Sequence, residues 1–419
     1  MDCQSCPAPC FYCMLGKEPA WLPYSSLRNS HAGDAAGHRI SGEIYMSTAK
    51  RHRFSAALCA ALFFLVLSSF APIHAQDVTI GVNIVDPYKL SVDAQNTMLD
   101  QMKAAGVKVI RASVTQDAKG VDFAERAWAH GIKIEWLIYH FGRYDPFGKR
   151  PLSAADPEQF RSTFAPILAS LEKKGVVFAA FELGNEINLS GTNPEFPLPG
   201  RGVQLSLDQL YHDPEGQQIG KGFDNYLKVL RVLKDVRGHS SLNQRTPILT
   251  AGLGNYERDD GPLPGKPKGD IVSVNSTIEY MRAHGLDSLV DGYAIHVYPF
   301  SNNPGDPKAA ADRKARLAKY DFTECRAAGS RDGKPCWITE WGFNNLDMAC
   351  PIDDSSRASL VREMMSDFQF YARQGRLAGL LYFPWNSDPA AKTVSYGSIW
   401  RCGSLTESGK LSIDASLLK

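Results

Sequence analysis

Two acidic side chains, Glu186 and Glu340, each follow a run of residues typical of a buried β-strand. Glu186 comes after the apolar segment 176–183, and Glu340 lies between Trp337 and Trp341 at the end of a second segment. A carboxylate in such a place is either a solvated loop or capping residue, or an acid set in a pocket. The two sites lie about three strand–helix units apart, so we consider what a facing pair of carboxyl groups would do.

Two carboxyl groups flanking a gap are the requirement for cleaving a glycosidic bond. One must be protonated, to give its proton to the leaving oxygen, and the other ionised, to attack the anomeric carbon or to activate water. Different surroundings separate the two pKa values and so assign the roles. If Arg111 and the Tyr298 hydroxyl lie near Glu340, they would keep that carboxylate ionised.

Eight β-rich apolar segments alternate with amphipathic segments along the chain, and they are 79–84, 107–111, 132–138, 176–186, 246–250, 292–298, 336–343 and 378–383. Several helices end in a glycine just before the next strand, at Gly106, Gly131 and Gly175. Alternation of this kind is typical of parallel βαβ units. We therefore predict one α/β domain over residues 76–419, a (β/α)8 TIM barrel, with loop insertions at 188–223 and 254–270. An open doubly wound sheet is the alternative, weakened because no Gly-x-Gly-x-x-Gly follows the first strand.

In such a barrel all strand carboxyl ends surround one opening. Strands 4 and 7 lie on opposite sides of it, so Glu186 and Glu340 can face each other. Other candidates for substrate binding at these ends are Arg111, Asn185, His296, Tyr298 and Trp385. Asn185 would bind a sugar hydroxyl and Trp385 would offer a flat face to a sugar ring. The alternatives are a structural ion pair for Arg111, a barrel-interior place for His296 and Tyr298, and core packing for Trp385. Glu135 and Glu182 are assigned no chemistry.

The segments Leu183-Gly184-Asn185-Glu186 and Ile338-Thr339-Glu340-Trp341-Gly342 resemble two motifs of clan A glycoside hydrolases. Arg111, His296-x-Tyr298 and Trp385 are similar to positions in family 5 and family 39 members, and the resemblance covers essentially the whole of 76–419. It implies a retaining mechanism, with Glu186 as acid/base and Glu340 as nucleophile. The strand-3 histidine of the family has its match in His140.

A formal charge of +1 argues against a nucleic-acid partner.

Residues 46–75 read as a signal peptide, with basic residues 50–53, an apolar core from Phe54 to Phe70 and a small-residue cleavage site. We therefore expect an exported protein, secreted or periplasmic, with no stable membrane insertion. Met46 is then the expected start, and residues 1–45 are an upstream extension of doubtful status.

The upstream extension contains four closely spaced cysteines, Cys3, Cys6, Cys10 and Cys13, a spacing that can ligate zinc or an iron–sulfur cluster. A removed or untranslated segment is the preferred interpretation. Cys325, Cys336, Cys350 and Cys402 remain in the exported part, and their even number predicts two disulfides. Cys325–Cys336 would close a short loop and leave Cys350 with Cys402, although the other two pairings stay possible.

The pattern as a whole predicts a retaining glycoside hydrolase that cleaves O-glycosidic bonds of a poly- or oligosaccharide. This chemistry needs no metal and no cofactor. One alternative is a non-catalytic carbohydrate-binding barrel, which the presence of both carboxylates disfavours. A second is a barrel hydrolase or lyase acting on a substrate that is not a sugar.

Overall fold

The computed structural model describes residues 77–114, 117–139, 151–198, 200–255, 269–299, 303–330, 332–347, 349–386 and 396–419. Three predictions concern residues outside these ranges. They are the signal peptide at 46–75, the upstream cysteines and His140.

Strands and helices alternate along the described chain, with short additional strands in three loops. The strands are β1 Thr79–Asn83, β2 Val109–Ser113, β3 Lys133–Ile138, β4 Ala180–Leu183, β5 Gln204–Leu205, β6 Ile248–Leu249, β7 Leu253–Gly254, β8 Ile271–Val272, β9 Tyr293–Val297, β10 Cys336–Trp341, β11 Leu377–Tyr382, β12 Trp400–Arg401 and β13 Ser404–Leu405. The helices are α1 Val92–Ala104, α2 Ala118–Ala129, α3 Pro157–Lys173, α4 Leu207–His212, α5 Pro214–Gly238, α6 Val274–Ala283, α7 Pro307–Arg316, α8 Ser355–Arg373 and α9 Glu407–Ser412.

Nine of these strands form one parallel sheet in the order β6-β4-β3-β2-β1-β11-β10-β9-β7. β6 and β7 are two pieces of a single strand position, since only residues 250–252 separate them. This segment pairs with β4 on one side and with β9 on the other, and a further parallel bridge joins Leu249 to Gly292. The sheet therefore closes on itself, and the predicted (β/α)8 barrel is confirmed.

The helix ends follow the predicted rule. Gly106, Gly131 and Gly175 have φ values of 89°, 78° and 80°, the left-handed conformation that glycine adopts after a helix.

The predicted insertion at 188–223 was too long, because α5 already begins at Pro214. Asp213 accepts hydrogen bonds from the backbone N–H groups of residues 215 and 216, and proline at the first helical position completes the start of α5.

Two apolar layers pack on opposite faces of the barrel wall. The outer layer lies between strands and helices. The inner layer fills the barrel below its opening and consists of Val109, Ala180, Leu249, Ala294, Trp337, Ala378 and Leu381. Trp337 is the one large ring in this inner layer, and it fits because its neighbours are small. A Cβ atom at Gly379 would lie 2.0 Å from Cε3 of Trp337, and one at Gly292 would lie 2.8 Å from Cδ1.

A buried carboxylate near the end of α3 holds the turn that follows α5. Glu172 is 9% exposed and accepts hydrogen bonds from the hydroxyls of Ser240 and Ser241 and from the backbone N–H groups of Ser241, Leu242 and Asn243. Burial alone would raise the pKa of Glu172, but these hydrogen bonds lower it to about 2. The ionised carboxylate therefore stabilises the folded state.

Both predicted disulfide pairs are present. Cys325–Cys336 has a Cα–Cα distance of 5.4 Å and joins the segment after α7 to the start of β10. Cys350–Cys402 has a Cα–Cα distance of 5.7 Å and joins the loop after β10 to the β12–β13 hairpin. Among the described helices, none has the length and apolar character needed to cross a membrane.

The fit of Trp337 inside the barrel predicts a large effect of a small substitution. Gly379→Ala would force a methyl group into the indole ring, so we expect a loss of about 2 kcal/mol or more in the free energy of unfolding. For a domain of this size, the thermal midpoint should fall by roughly 3 °C or more. Gly238→Ala is the matched control, because nothing lies within 4 Å of its added Cβ and alanine favours the helix. An equal, small change in both variants would contradict this packing.

The Glu172 contacts predict a pH-dependent stability. A carboxylate with a lowered pKa stabilises the fold above its unfolded value of about 4.3, and this contribution disappears as pH falls toward about 2. Glu172→Gln should therefore cost up to about 3 kcal/mol at pH 7 and roughly half of that at pH 3, as measured by thermal melts. Glu158→Gln, on the same helix with a side chain 75% exposed, is the control. If the loss in stability of Glu172→Gln relative to wild type stays constant across this pH range, the contribution of Glu172 does not depend on its charge.

Candidate active site

A local irregularity in β10 turns Glu340 into the barrel. Side chains alternate between the two faces of a strand, so a regular β10 with Trp337 inside would also place Thr339 inside and Glu340 outside. The pairing of β10 with β9 instead runs from Ile338↔Ile295 directly to Glu340↔His296. This register shift leaves Thr339 unpaired with β9 and places Glu340 beside His296. Bulges next to active sites commonly re-aim a side chain in this way.

The guanidinium of Arg111, 3% exposed, lies at the centre of the polar layer above Trp337. Its Nε and Nη2 donate to the two carboxylate oxygens of Glu182, at 2.8 and 2.7 Å. Its Nη1 donates to Oε1 of Glu340 at 2.6 Å and to Oδ1 of Asn83 at 3.0 Å. Nη2 also donates to Oδ1 of Asn185 at 2.7 Å. One buried cation therefore orients four side chains from three strand positions, β1, β4 and β10.

The opposite charges in this layer stabilise each other's ionised forms. Burial alone would lower the pKa of Arg111, but the carboxylates of Glu182 and Glu340 raise it well above its usual value. Burial alone would raise the pKa of Glu182, but the charge and hydrogen bonds of Arg111 lower it. The Arg111–Glu182 pair is therefore ionised at neutral pH, and its bidentate geometry resists displacement of either partner.

The backbone at Glu186 adopts an uncommon conformation just beyond the end of β4. Its φ of 48° lies in the left-handed region, which costs a residue other than glycine about 1–3 kcal/mol. The N–H of Glu186 donates to the carbonyl of Gly252 at 2.7 Å. The carbonyl of Glu186 accepts from the N–H of Leu189 at 3.1 Å and from the Thr192 hydroxyl. These bonds hold the strained backbone, and strain of this kind is concentrated at functional sites.

The imidazole of His296, 1% exposed, lies between the two candidate catalytic carboxylates. Its Nδ1 is 3.1 Å from Oε1 of Glu186, and its Nε2 is 3.5 Å from Oε1 of Glu340. Burial alone would lower the pKa of His296, but Glu340 and Glu186 raise it. The close packing needs glycine at position 252, because a Cβ there would lie 2.2 Å from Nε2 of His296.

The surroundings of the two carboxylates differ. Oε2 of Glu340 accepts a hydrogen bond of 2.6 Å from the Tyr298 hydroxyl, and Oε1 accepts one from Arg111. Donors of this kind stabilise an ionised carboxylate. Glu186, 9% exposed, contacts an imidazole nitrogen that can either donate or accept a proton. This asymmetry is what a nucleophile and a general acid/base require.

The structure brings together six of the residues predicted from the sequence, namely Arg111, Asn185, Glu186, His296, Tyr298 and Glu340. Trp385 differs from the expectation of an open sugar-binding face. It is 0% exposed, and its indole stacks on Trp400 with ring centroids 5.2 Å apart and planes at 18°. We therefore assign this ring a packing role. His140 lies outside the described residues.

Three members of this polar layer were missed by sequence reasoning, namely Asn83, Glu135 and Glu182. Glu135 and Glu182 are 0% exposed, and Glu135 pairs in register with Arg111 across β2 and β3. A usable signal was present, since strands of a parallel barrel are buried on both faces and read as nearly continuous apolar runs. A charged residue inside such a run therefore marks a buried polar site on one of the two faces of the strand.

No family model matches the chain, and no curated protein matches it. Similar solved structures include a family 5 xyloglucanase from Paenibacillus pabuli. It is 11% identical in sequence, the match covers 82% of this chain and 99% of that chain, and the TM-score is 0.46. A β-glucosidase from Thermotoga maritima is similar at 12% identity, with 82% and 98% of the two chains covered and a TM-score of 0.48. An endo-1,4-β-mannanase from Rhizomucor miehei is similar at 12% identity, with 81% and 93% covered and a TM-score of 0.49.

Proposed function

We propose that this protein is a retaining glycoside hydrolase acting on O-glycosidic bonds of a poly- or oligosaccharide. The observation that supports this most directly is the contact of one imidazole, His296, with both Glu186 and Glu340. The two carboxyl groups come from opposite sides of the barrel opening, which is where enzymes of this fold perform their chemistry. Paired carboxyl groups with unlike surroundings suit glycosidic cleavage.

Glu340 is the proposed nucleophile. In the first step one of its oxygens bonds to the anomeric carbon while the bond from that carbon to the leaving oxygen breaks. Glu186 gives its proton to the leaving oxygen in the same step. The hydrogen bonds from Arg111 and Tyr298 keep the lone pairs of Glu340 oriented and its charge stabilised before attack.

Glu186 then acts as the base for the second step. It accepts a proton from water as the water oxygen bonds to the anomeric carbon, and the bond to Glu340 breaks. Nδ1 of His296 remains a hydrogen-bond partner of Glu186 in both protonation states, because imidazole can donate or accept. Asn185, fixed by Arg111, is placed beside Glu186 to bind a sugar hydroxyl.

The proposed setting is outside the cytoplasm. The signal peptide predicted at 46–75 would direct export, and the two disulfides are of the kind that persist in oxidising compartments. A screen of polysaccharides and aryl glycosides, with the protein beginning near residue 76, would identify the sugar and the linkage. Binding of a polysaccharide without release of product would instead favour the non-catalytic alternative.

Substitution of either carboxylate should stop turnover without unfolding the barrel. Glu340→Gln and Glu186→Gln are each expected to lower kcat by about 10³-fold or more on an unactivated substrate. Glu186→Ala should retain activity on a 2,4-dinitrophenyl glycoside, whose leaving group needs no proton, and added azide should accelerate it. Glu340→Gln should not be rescued by the better leaving group. Glu158→Gln is the control for preparation and folding, and near-normal turnover in either site variant would contradict the assignment.

The stereochemistry of the product tests the two-step mechanism separately. Double displacement through Glu340 predicts that the first-formed sugar keeps the anomeric configuration of the substrate. Proton NMR during the first minutes of hydrolysis, before mutarotation, distinguishes the two anomers. Inversion would assign Glu340 as a base that activates water, and would reject its role as nucleophile.

A further inference from the structure

Glu135 is a carboxyl group in the barrel interior that the proposed mechanism does not use. It is 0% exposed, and it lies on β3 in register with Arg111 of β2 and Ala180 of β4. Within the described part of the chain, neither of its oxygens receives a hydrogen bond. Among the described residues, Arg111 forms an ion pair with it, with Nε 3.9 Å from Oε1 of Glu135.

The hydrogen bonds of Arg111 are directed to other acceptors. Nε and Nη2 donate to Glu182, and Nη1 donates to Glu340. An ionised Glu135 would thus be a buried anion without a donor, a state that proteins strongly disfavour. A protonated Glu135 is itself a donor, and Glu182 is an anionic acceptor beside it.

We propose that Glu135 carries a proton in the folded protein and donates it in a hydrogen bond to Glu182. Glu135 is then a positioning residue, which acts through Glu182 and Arg111 to orient Glu340. This second part rests on the proposed function. With a single anion opposite the Arg111 fork, Nη1 can donate to Glu340 as well as to Asn83, whereas a second anion would compete for the same cation.

The electrostatic surroundings agree with this protonation state. Burial and then the negative charge of Glu182 raise the pKa of Glu135 well above its usual value. The hydrogen bond from Glu135 also helps to lower the pKa of Glu182. Among the described residues, the charged groups that act on this pair from other strands include Arg111 on β2, His296 on β9 and Glu340 on β10. Two carboxyl groups around one proton are a recognised way to keep one acid neutral.

Infrared difference spectroscopy tests the proton directly. At pH 7 the spectrum of the wild type minus that of Glu135→Gln should contain the carbonyl stretch of a protonated carboxylic acid. The same difference taken with Glu158→Gln, whose carboxylate is exposed, should lack this band. The difference spectrum with Glu186→Gln, measured in parallel, shows how much of the protonated-carboxyl band belongs to the proposed general acid. Absence of the band from the Glu135→Gln difference would overturn the proposal.

Kinetics test the positioning role with three variants. Glu135→Leu and Glu135→Gln differ in whether residue 135 can donate a hydrogen bond, and Glu182→Gln makes the same change to glutamine at the neighbouring carboxylate. Glu135→Leu removes the donor and should lower kcat by about 10-fold with little change in KM, the effect of losing one hydrogen bond to a charged group. Glu135→Gln restores a neutral donor and should recover kcat to within about threefold of wild type. Glu182→Gln removes the anion that holds Arg111 and should lower kcat by about 100-fold.

The outcomes separate this proposal from the proposed function. Equal losses in Glu135→Gln and Glu135→Leu, or no loss in Glu135→Leu, would overturn the positioning role. A wild-type protein that hydrolyses none of the panel would count against the glycosidase, while the infrared difference would still support or overturn the proton on Glu135.

Discussion

The site depends on one buried cation, the guanidinium of Arg111. At 3% exposure it would be costly without partners, and it makes five hydrogen bonds of 2.6–3.0 Å to Asn83, Glu182, Asn185 and Glu340. Arginine suits this place because its planar fork can serve several acceptors at once, whereas lysine presents a single point of charge. The same guanidinium thus holds Glu340, the proposed nucleophile, and Asn185, the amide beside the proposed acid/base Glu186.

An apolar layer of the barrel interior, which includes Trp337, lies directly below this cation. Trp337 fills the space below the polar layer, and glycines at positions 292 and 379 leave room for its ring. The apolar floor and the surrounding strands exclude water from below, so that each charge interacts strongly with its neighbours. The same exclusion makes the ionisation of any further acid in this layer unfavourable, so the protonation of Glu135 depends on the charge of Glu182.

Several features of the site were readable from residue types and spacing. Helices that end in glycine before apolar strands predicted the (β/α)8 barrel, and the barrel in turn placed Glu186 and Glu340 at one opening. The roles of Glu135 and Glu182 were not predicted, because a carboxylate inside a strand is equally compatible with a face toward the helices. Trp385 was expected to offer a sugar-binding face, yet a ring that follows a strand can also turn inward, and here it stacks on Trp400.

The amino-acid sequence by itself determined the eight strand positions, the glycine-terminated helices and the polar side chains at the strand ends, because these depend on local periodicity and turn conformation. Tertiary structure decided which way those side chains point. The register shift that accompanies the inward turn of Glu340 lies in the pairing of β10 with β9, and the left-handed backbone of Glu186 is held by Gly252, which is remote in the chain. Contacts between distant segments have no local signature, so the sharing of one arginine among several strands became visible only once the barrel had closed.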